Sequence, residues 1–258
     1  MTILDQLAEH ARRRTQLAME RVSAEEMRER AFSLPKLDFR FEKALKRDGI
    51  SVIAECKKAS PSKGLIAENF PYLDIARAYE EAGADAVSVL TEPKWFLGSD
   101  RYLQEIAGAV SLPCLRKDFT VDPYMIHEAR VLGASAVLLI CSILPERSLQ
   151  AYLEESERLG LSALVEAHDQ EEVKTALRVG ARIIGVNNRN LKDFSVDTEN
   201  SRRLRDIVPG DVVFVSESGV RTAEDVRLLR ENGVDAVLIG ETLMRAEDKK
   251  AKLKELLS

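Results

Sequence analysis

Apolar and polar positions along the chain follow a repeating pattern. Four segments begin with glycine, continue with a small or branched residue and a polar residue, and end in an apolar run. They start at Gly83, Gly133, Gly180 and Gly233, roughly fifty residues apart, and each follows apolar residues at helical spacing. Glycine accepts the positive φ that ends a helix, and the apolar run after it predicts a strand buried on both faces.

Four more short apolar runs lie midway between these segments, and a helical pattern follows each of them. The runs occupy residues 50–54, 112–115, 161–165 and 212–215. Eight strands that alternate with helices over about 200 residues predict an α/β fold of the (β/α)8 barrel type. A doubly wound open sheet is the alternative, but eight evenly spaced units favour closure.

Residues 1–48 do not fit the repeat. Ile3, Leu7 and Ala11 belong to an apolar stripe at helical spacing. Residues 23–26 have the form of a capping box that opens a second helix, which Pro35 ends. We therefore predict a single domain over residues 1–258, in which a helical extension (1–48) packs on the barrel (49–258).

Composition places the chain among globular proteins and excludes several classes. Its 258 residues are 45% hydrophobic and 31% charged, with a net charge of −5. An acidic balance argues against nucleic-acid binding. No apolar run approaches the ~20 residues of a membrane span, so we expect no membrane contact. The first five residues lack a basic region followed by an apolar one, so we expect no signal peptide.

Cysteine and histidine usage gives no sign of a metal or disulfide framework. The three cysteines lie far apart, which is typical of reduced thiols in a cytoplasmic protein. His10, His127 and His168 lack the spacing of metal ligands, and there is no P-loop or dinucleotide-binding glycine motif. We therefore expect no metal and no cofactor.

Charged and amide side chains stand where the predicted strands end, which is where barrel enzymes carry their chemistry. Glu55 and Lys57 are two residues apart on the first strand and so point to the same side. Lys117, Glu166 and Asn187 end the third, fifth and sixth strands. Together they offer a cation as acid, a carboxylate as base and an amide to orient a hydroxyl. An ordinary ion-pair network on the barrel rim is the alternative.

The turns after the last two strands predict an anion site. Ser218 and Gly219 follow the seventh strand, and Gly240 and Glu241 open a short helix after the eighth. Barrels often bind phosphate at this place, where free backbone N–H groups point outward. We favour phosphate over plain turn glycines, with the Glu241 side chain directed away from the anion.

Residues 54–64, Ala-Glu-Cys-Lys-Lys-Ala-Ser-Pro-Ser-Lys-Gly, resemble the signature of the indole-3-glycerol-phosphate synthase family. Cys56 and Thr242 depart from the residues common in that family without affecting the predicted chemistry. The likeness covers nearly the whole chain and continues through 91–99, 115–119, 164–166, 186–191, 216–220 and 239–244.

The resemblance implies a TIM barrel without a cofactor that acts as a carboxy-lyase in tryptophan biosynthesis. Its substrate is 1-(2-carboxyphenylamino)-1-deoxyribulose 5-phosphate. The ring carbon that bears the carboxylate attacks the ketone, CO₂ and then water leave, and indole-3-glycerol phosphate remains. A small phosphorylated molecule is thus the expected partner, and a monomer is the expected state.

The predicted catalytic residues fit this scheme. Lys117 is the expected general acid at the ketone oxygen. Lys57 and Glu166 are the acid and base of the dehydration, in either order. Glu55 orients a lysine and holds it charged, and Asn187 bonds a sugar hydroxyl or the ketone.

Further binding residues follow from the resemblance. The phosphate is expected at Ser60, Ser218, Gly219, Gly240 and the amides near Glu241. Arg189, together with Ser218, is expected at the carboxylate or sugar. The apolar slot for the ring is expected from Pro61, Phe119, Leu138 and Leu191, with Trp95 or Phe96 on the second loop. The long loop 59–69 is expected to close over the substrate.

Two other functions remain open from the sequence. One is a barrel lyase in which Lys57 or Lys117 forms a Schiff base with a sugar-phosphate ketone. The other is a barrel that binds a phosphorylated metabolite without turning it over.

Overall fold

Eight parallel strands form a closed barrel. The computed structural model of the protein describes residues 2–190 and 194–258. Within these ranges each barrel strand pairs with the next in chain order, and the last pairs with the first, which confirms the predicted (β/α)8 barrel and excludes the open sheet. The strands are β1 (Ser51–Cys56), β2 (Ala86–Leu90), β3 (Cys114–Lys117), β4 (Ala136–Ile140), β5 (Ser162–Ala167), β6 (Ile183–Asn187), β7 (Val213–Glu217) and β8 (Ala236–Ile239).

Helices precede the barrel and separate its strands. Ser23 accepts the backbone N–H of Glu26, which is one half of the predicted capping box, whereas Thr2 and Asp5 form both halves of such a box at the first helix. The helices are α1 (Ile3–Met19), α2 (Ala24–Ser33), α3 (Arg40–Leu45), α4 (Tyr72–Ala82), α5 (Asp100–Ala109), α6 (Pro123–Val131), α7 (Glu146–Leu159), α8 (Gln170–Arg178), α9 (Glu199–Arg205), α10 (Ala223–Glu231), α11 (Glu241–Arg245) and α12 (Lys249–Leu256). No helix in the described ranges is long and apolar enough to cross a membrane.

The strands alternate between two apolar layers. Val52 and Ala54 of β1 belong to the cluster between the barrel and its helices, whereas Ile53 and Leu115 belong to the cluster inside the barrel. Such alternation follows from the two-residue period of a strand. Each fully buried side chain of this size contributes roughly 1.5–3 kcal/mol, so both layers hold the barrel closed.

The N-terminal extension contacts the interior cluster from two places. Phe41 and Leu45 of α3 join that cluster, and the backbone N–H of Glu42 donates to Ser162 at the start of β5. Leu7 of α1 joins the same cluster and lines the cavity at the carboxyl ends of the strands. The extension therefore packs against the barrel at the end where the strands start and also covers part of the mouth.

An ion pair and a histidine–carboxylate contact fasten α1 to the mouth. Arg14 donates to both carboxylate oxygens of Asp118, at 2.7 and 3.2 Å. His10 Nδ1 lies 3.0 Å from Glu92 Oε1, and this fully buried carboxylate also accepts the backbone N–H groups of residues 94–96. The helix is thereby tied to the loop after β2 and to the end of β3.

Strand β3 serves two layers with successive residues. Arg116 points outward and is only 2% exposed, and its guanidinium lies 2.7 Å from carboxylate oxygens of both Asp100 and Glu128. It also donates to a backbone carbonyl of α6. Lys117, the next residue, lines the cavity at the mouth. Asp118 then faces outward again and binds Arg14. The reactive end of β3 is thus set between two buried ionic contacts.

Candidate active site

A cavity of about 810 Å³ opens at the carboxyl ends of the strands. Of the predicted site residues that the structure describes, it gathers all except Trp95, and Leu191 lies outside the described residues. Those lining it are Glu55, Lys57, Ser60, Pro61, Phe96, Lys117, Phe119, Leu138, Glu166, Asn187, Arg189, Ser218, Gly219, Gly240 and Glu241. In residues 2–190 and 194–258, no group of three or more His, Cys, Asp or Glu is arranged to hold a metal ion.

Lys117 stands among the carboxylates of the cavity. Its Nζ lies 3.0 Å from Glu166 Oε2 and 3.4 Å from Glu217 Oε2. Both carboxyl groups are almost fully buried, on β5 and β7. Because a buried charge is destabilising unless it is paired, the three side chains are held in contact with one another.

The cluster sets the protonation of its members. Burial disfavours the ammonium of Lys117, but attraction from Glu166 and Glu217 outweighs burial and raises the pKa of Lys117. Burial also disfavours the Glu166 carboxylate, yet Lys117 and then His168 outweigh it and lower the pKa of Glu166. Near neutral pH the site therefore holds a charged ammonium beside an ionised carboxylate.

Glu217 is the main residue that the sequence prediction did not assign, although it ends the seventh strand. Burial raises its pKa, and repulsion from Glu166 and Glu55 adds to this effect against the attraction of Lys117. Its Oε1 has no hydrogen-bond partner among residues 2–190 and 194–258. A side chain at Gly185 would collide with this carboxyl group, so the glycine leaves room for it. Glu217 is thus a carboxyl group that retains a proton easily beside Lys117.

Glu55 and Lys57 share one face of β1, as their spacing predicts. Lys57 Nζ lies 2.6 Å from Glu55 Oε1, and Ser88 donates to Glu55 Oε2 at 3.2 Å. The second lysine is therefore also held by a buried carboxylate. Both lysines point into the same cavity from different strands.

Asn187 connects the acid–base cluster to the turn that follows β7. Its amide donates to Glu166 Oε1 at 3.3 Å, and its oxygen accepts from the Ser218 hydroxyl and the Arg189 backbone, both at 3.0 Å. Ser218 has a φ of 68°, in the left-handed region that non-glycine residues seldom adopt. The strained turn directs the hydroxyl of Ser218 towards Asn187.

The segments after β1, β6 and β8 make one end of the cavity cationic. The predicted long loop contains two short antiparallel strands, Ala59–Ser60 and Gly64–Leu65, and its Lys63 lies 3.5 Å from Glu241. Glu241 is also paired with Arg245 and Arg189, so its carboxylate is held among cations. Lys252 of α12 lines the same end. The sequence prediction did not include Lys63, Arg245 or Lys252.

Apolar side chains line another side of the cavity. Phe96 and Phe119 lie 6.1 Å apart between ring centroids. Trp95, the other aromatic candidate on the second loop, packs edge-on against His10 instead and is not among the residues lining the cavity. Ile3 and Leu7 of α1 add to the slot, which the sequence prediction missed because nothing in their spacing shows where α1 docks.

Comparison with solved structures identifies the fold. A thiamine phosphate pyrophosphorylase from Pyrococcus furiosus superposes with a TM-score of 0.60 at 18% identity, covering 84% of this chain and 96% of that one. A chain of a tryptophan synthase complex from Pyrococcus furiosus gives a TM-score of 0.60 at 16% identity, covering 81% and 98%. At these identities the similarity concerns the barrel alone.

Sequence relatives are much more similar. The family model of indole-3-glycerol phosphate synthase matches residues 4–256. The indole-3-glycerol phosphate synthase of Ruminiclostridium cellulolyticum is 56% identical over 255 residues, which is 98% of each chain. That of Endomicrobium trichonymphae is 52% identical, covering 98% of this chain and 99% of its own. These matches confirm the resemblance inferred from the motifs: the chain belongs to the indole-3-glycerol phosphate synthase family.

Proposed function

We propose that this cavity carries out the reaction of its family, the conversion of 1-(2-carboxyphenylamino)-1-deoxyribulose 5-phosphate to indole-3-glycerol phosphate, CO₂ and water. The activity is that of a carbon–carbon carboxy-lyase in tryptophan biosynthesis. The observation that carries the assignment of residues is the Lys117–Glu166 pair at 3.0 Å within a cavity lined by apolar, acid–base and cationic sides.

The substrate's three parts match the three sides of the cavity. The phosphate is assigned to the cationic end, near Lys57 and the backbone N–H groups after Gly219 and Gly240. The aromatic ring is assigned to the slot between Phe96 and Phe119. The ribulose chain then spans the acid–base cluster, which places its ketone near the reacting side chains.

Ring closure needs a cation at the ketone oxygen, because the attack of the ring carbon leaves negative charge there. Lys117 is assigned this role as general acid, and its charged state supports the assignment. Loss of CO₂ then restores the aromatic ring. Glu217 retains a proton easily and lies 3.4 Å from Lys117. It is assigned to reprotonate Lys117 after that lysine has given its proton to the ketone oxygen.

Dehydration needs an acid for the departing hydroxyl and a base for a proton of the ring system. Glu166 is assigned as the base, since its lowered pKa keeps it ionised. Lys57 is assigned as the acid, held towards the cavity by Glu55. The sequence left open which of Lys57 and Glu166 is the acid and which is the base, and we propose this assignment.

The same electrostatics argues against the Schiff-base alternative. Amine attack on a carbonyl requires a neutral lysine, but the neighbouring carboxylates favour the ammonium form of Lys117. Borohydride treatment with substrate is therefore expected to trap no covalent adduct at Lys117.

Glu166→Gln is expected to lower kcat about 100-fold, because the amide cannot accept the proton lost during dehydration. The measurement is the fluorescence of the indole product formed from the carboxyphenylamino sugar phosphate, without added metal or nucleotide. Glu171→Gln is the matched control, since Glu171 lies on the exposed face of α8 and pairs only with Lys174 among the described residues. Unchanged turnover in Glu166→Gln would remove Glu166 from the mechanism.

Gly240→Ala is expected to raise KM about tenfold or more, because a side chain there enters the phosphate end of the cavity. Its Cβ would meet the Glu55 carboxylate and come within 2.7 Å of Lys57 Nζ. Gly210→Ala is the control, because a Cβ at Gly210 meets no described atom within 4 Å. The same steady-state fluorescence assay measures both, and equal KM values would contradict a phosphate site at Gly240.

A further inference from the structure

A second group of titratable side chains lies behind Glu166, on the side away from Lys117. His168 follows β5 at the point where α8 begins, two residues after Glu166. Its Nε2 is buried, has no hydrogen-bond partner among the described residues, and lies 3.4 Å from Glu166 Oε1 as a charge contact. The proposed mechanism gives this imidazole no role. Lys117 contacts one oxygen of the Glu166 carboxylate, Oε2, and His168 contacts the other, Oε1.

The other nitrogen of His168 is held by a carboxylate. Nδ1 lies 3.1 Å from Glu172 Oε2, and the backbone N–H of His168 donates to the same oxygen at 2.8 Å. The Ser142 hydroxyl donates to Glu172 Oε1 at 2.6 Å and lies 3.2 Å from Nδ1. Asn200 donates to the carbonyl of His168 at 3.0 Å. Contacts at the backbone and at Nδ1 therefore hold the His168 side chain in place, and its Nε2 lies on the side of Glu166.

We propose that His168 is a positioning residue: an imidazolium, held by Glu172 and Ser142, that fixes Glu166 Oε1 so that Oε2 stays in place beside Lys117. This inference rests on the proposed role of Glu166 as base. The line Glu172–His168–Glu166 places a cation between two carboxylates, which favours the ionised form of both.

The charges around His168 favour its protonated form. Burial disfavours the imidazolium, but the hydrogen bond to Glu172 and the charges of Glu166 and Glu217 outweigh it and raise the pKa of His168. A neighbouring cavity of about 650 Å³ borders His168. Other charged side chains lining that cavity are Asp5, Asp169, Asp197, Arg189 and Arg203.

The sign of the pH dependence follows from this arrangement. Below its raised pKa, His168 is charged and holds Glu166 in place. As pH rises through that pKa the proton leaves, the imidazolium no longer attracts Oε1 by its charge, and kcat falls to a lower plateau. His168→Gln removes the titratable cation beside Glu166, so its kcat should equal that lower plateau at every pH.

The kinetic test compares kcat and KM across pH 6–9 for the unmodified protein, His168→Gln and His127→Gln. We expect His168→Gln to lose about tenfold in kcat at the low-pH end, with little change in KM, and to lack one alkaline step. His127 is the matched control, because it also pairs with a glutamate, at 2.7 Å, but between the outer helices α6 and α7. Equal kcat profiles for His168→Gln and the unmodified protein would overturn the inference.

A second measurement does not depend on turnover. The chain has three histidines, so NMR titration of labelled imidazoles can be assigned with His10→Gln and His127→Gln alone. We expect the His168 midpoint to lie above the usual ~6.5 and to fall towards it in Glu166→Gln and Glu172→Gln. A His168 midpoint that ignores both substitutions would overturn the inference.

The two proposals fail differently. If Glu166→Gln keeps full kcat, the base assignment is wrong whatever His168 does. If Glu166→Gln loses kcat while His168→Gln keeps the normal kcat and pH profile, the base stands and the positioning role of His168 is wrong.

Discussion

Lys117→Met is expected to reduce kcat by at least about 10³-fold, the largest activity loss for any single substitution in this site. The variant lacks the cation that protonates the ketone oxygen during ring closure. It also leaves the buried carboxyl groups of Glu166 and Glu217 without the ammonium that separates them. Their mutual repulsion then raises the pKa of Glu166, so a smaller fraction of this base is ionised. A 10³-fold loss corresponds to about 4 kcal/mol of barrier.

Steady-state turnover at neutral pH, followed by product fluorescence, measures this loss. Lys250→Met is the control, because Lys250 forms an exposed ion pair with Glu81 on the outer surface. A Lys117→Met variant that stays within tenfold of normal kcat would show that the ketone oxygen is stabilised by another group.

Arg116→Met is expected to destabilise the fold by about 3 kcal/mol, because it removes a buried cation and leaves the carboxylates of Asp100 and Glu128 without that partner. Asp100 is 43% exposed at its side chain and Glu128 only 18%, so the penalty falls mainly on Glu128. The backbone carbonyl of Met125 also loses its donor. In a chain of this length such a loss corresponds to a decrease in Tm of roughly 6–12 °C.

Urea unfolding monitored by circular dichroism measures the free energy. Arg101→Met is the matched control: Arg101 is also paired with a glutamate, but 74% of its side chain is exposed. Its change should stay within about 0.5 kcal/mol. Equal midpoints for the two variants would mean that the buried contacts of Arg116 add nothing to stability.

The barrel could be predicted from the sequence because its repeat is local. Glycines such as Gly83 and Gly133 end helices, and each is followed at once by a buried strand. Glu55 and Lys57 could be placed on one face because strand geometry fixes the direction of residues two apart. These predictions needed no knowledge of contacts between distant segments.

What could not be predicted depends on such contacts. The raised pKa of Glu217 follows from its burial and from the charges of Lys117, Glu166 and Glu55, which come from three other strands. The choice of Phe96 over Trp95 depends on where His10 of α1 lies. Two of the cations around Glu241, Lys63 and Arg189, come from distant loops whose approach is set only in the folded chain.

Strand β3 also bears on how this protein tolerates variation. Arg116, Lys117 and Asp118 are consecutive residues. The ionic contacts of Arg116 and Asp118 therefore lie directly beside the reactive amine of Lys117 along the backbone. Substitutions made around Arg116 to raise thermal stability are therefore expected to lower turnover as well. Engineers selecting for heat resistance at positions 100 or 128 should expect trade-offs with catalysis that sequence distance alone does not suggest.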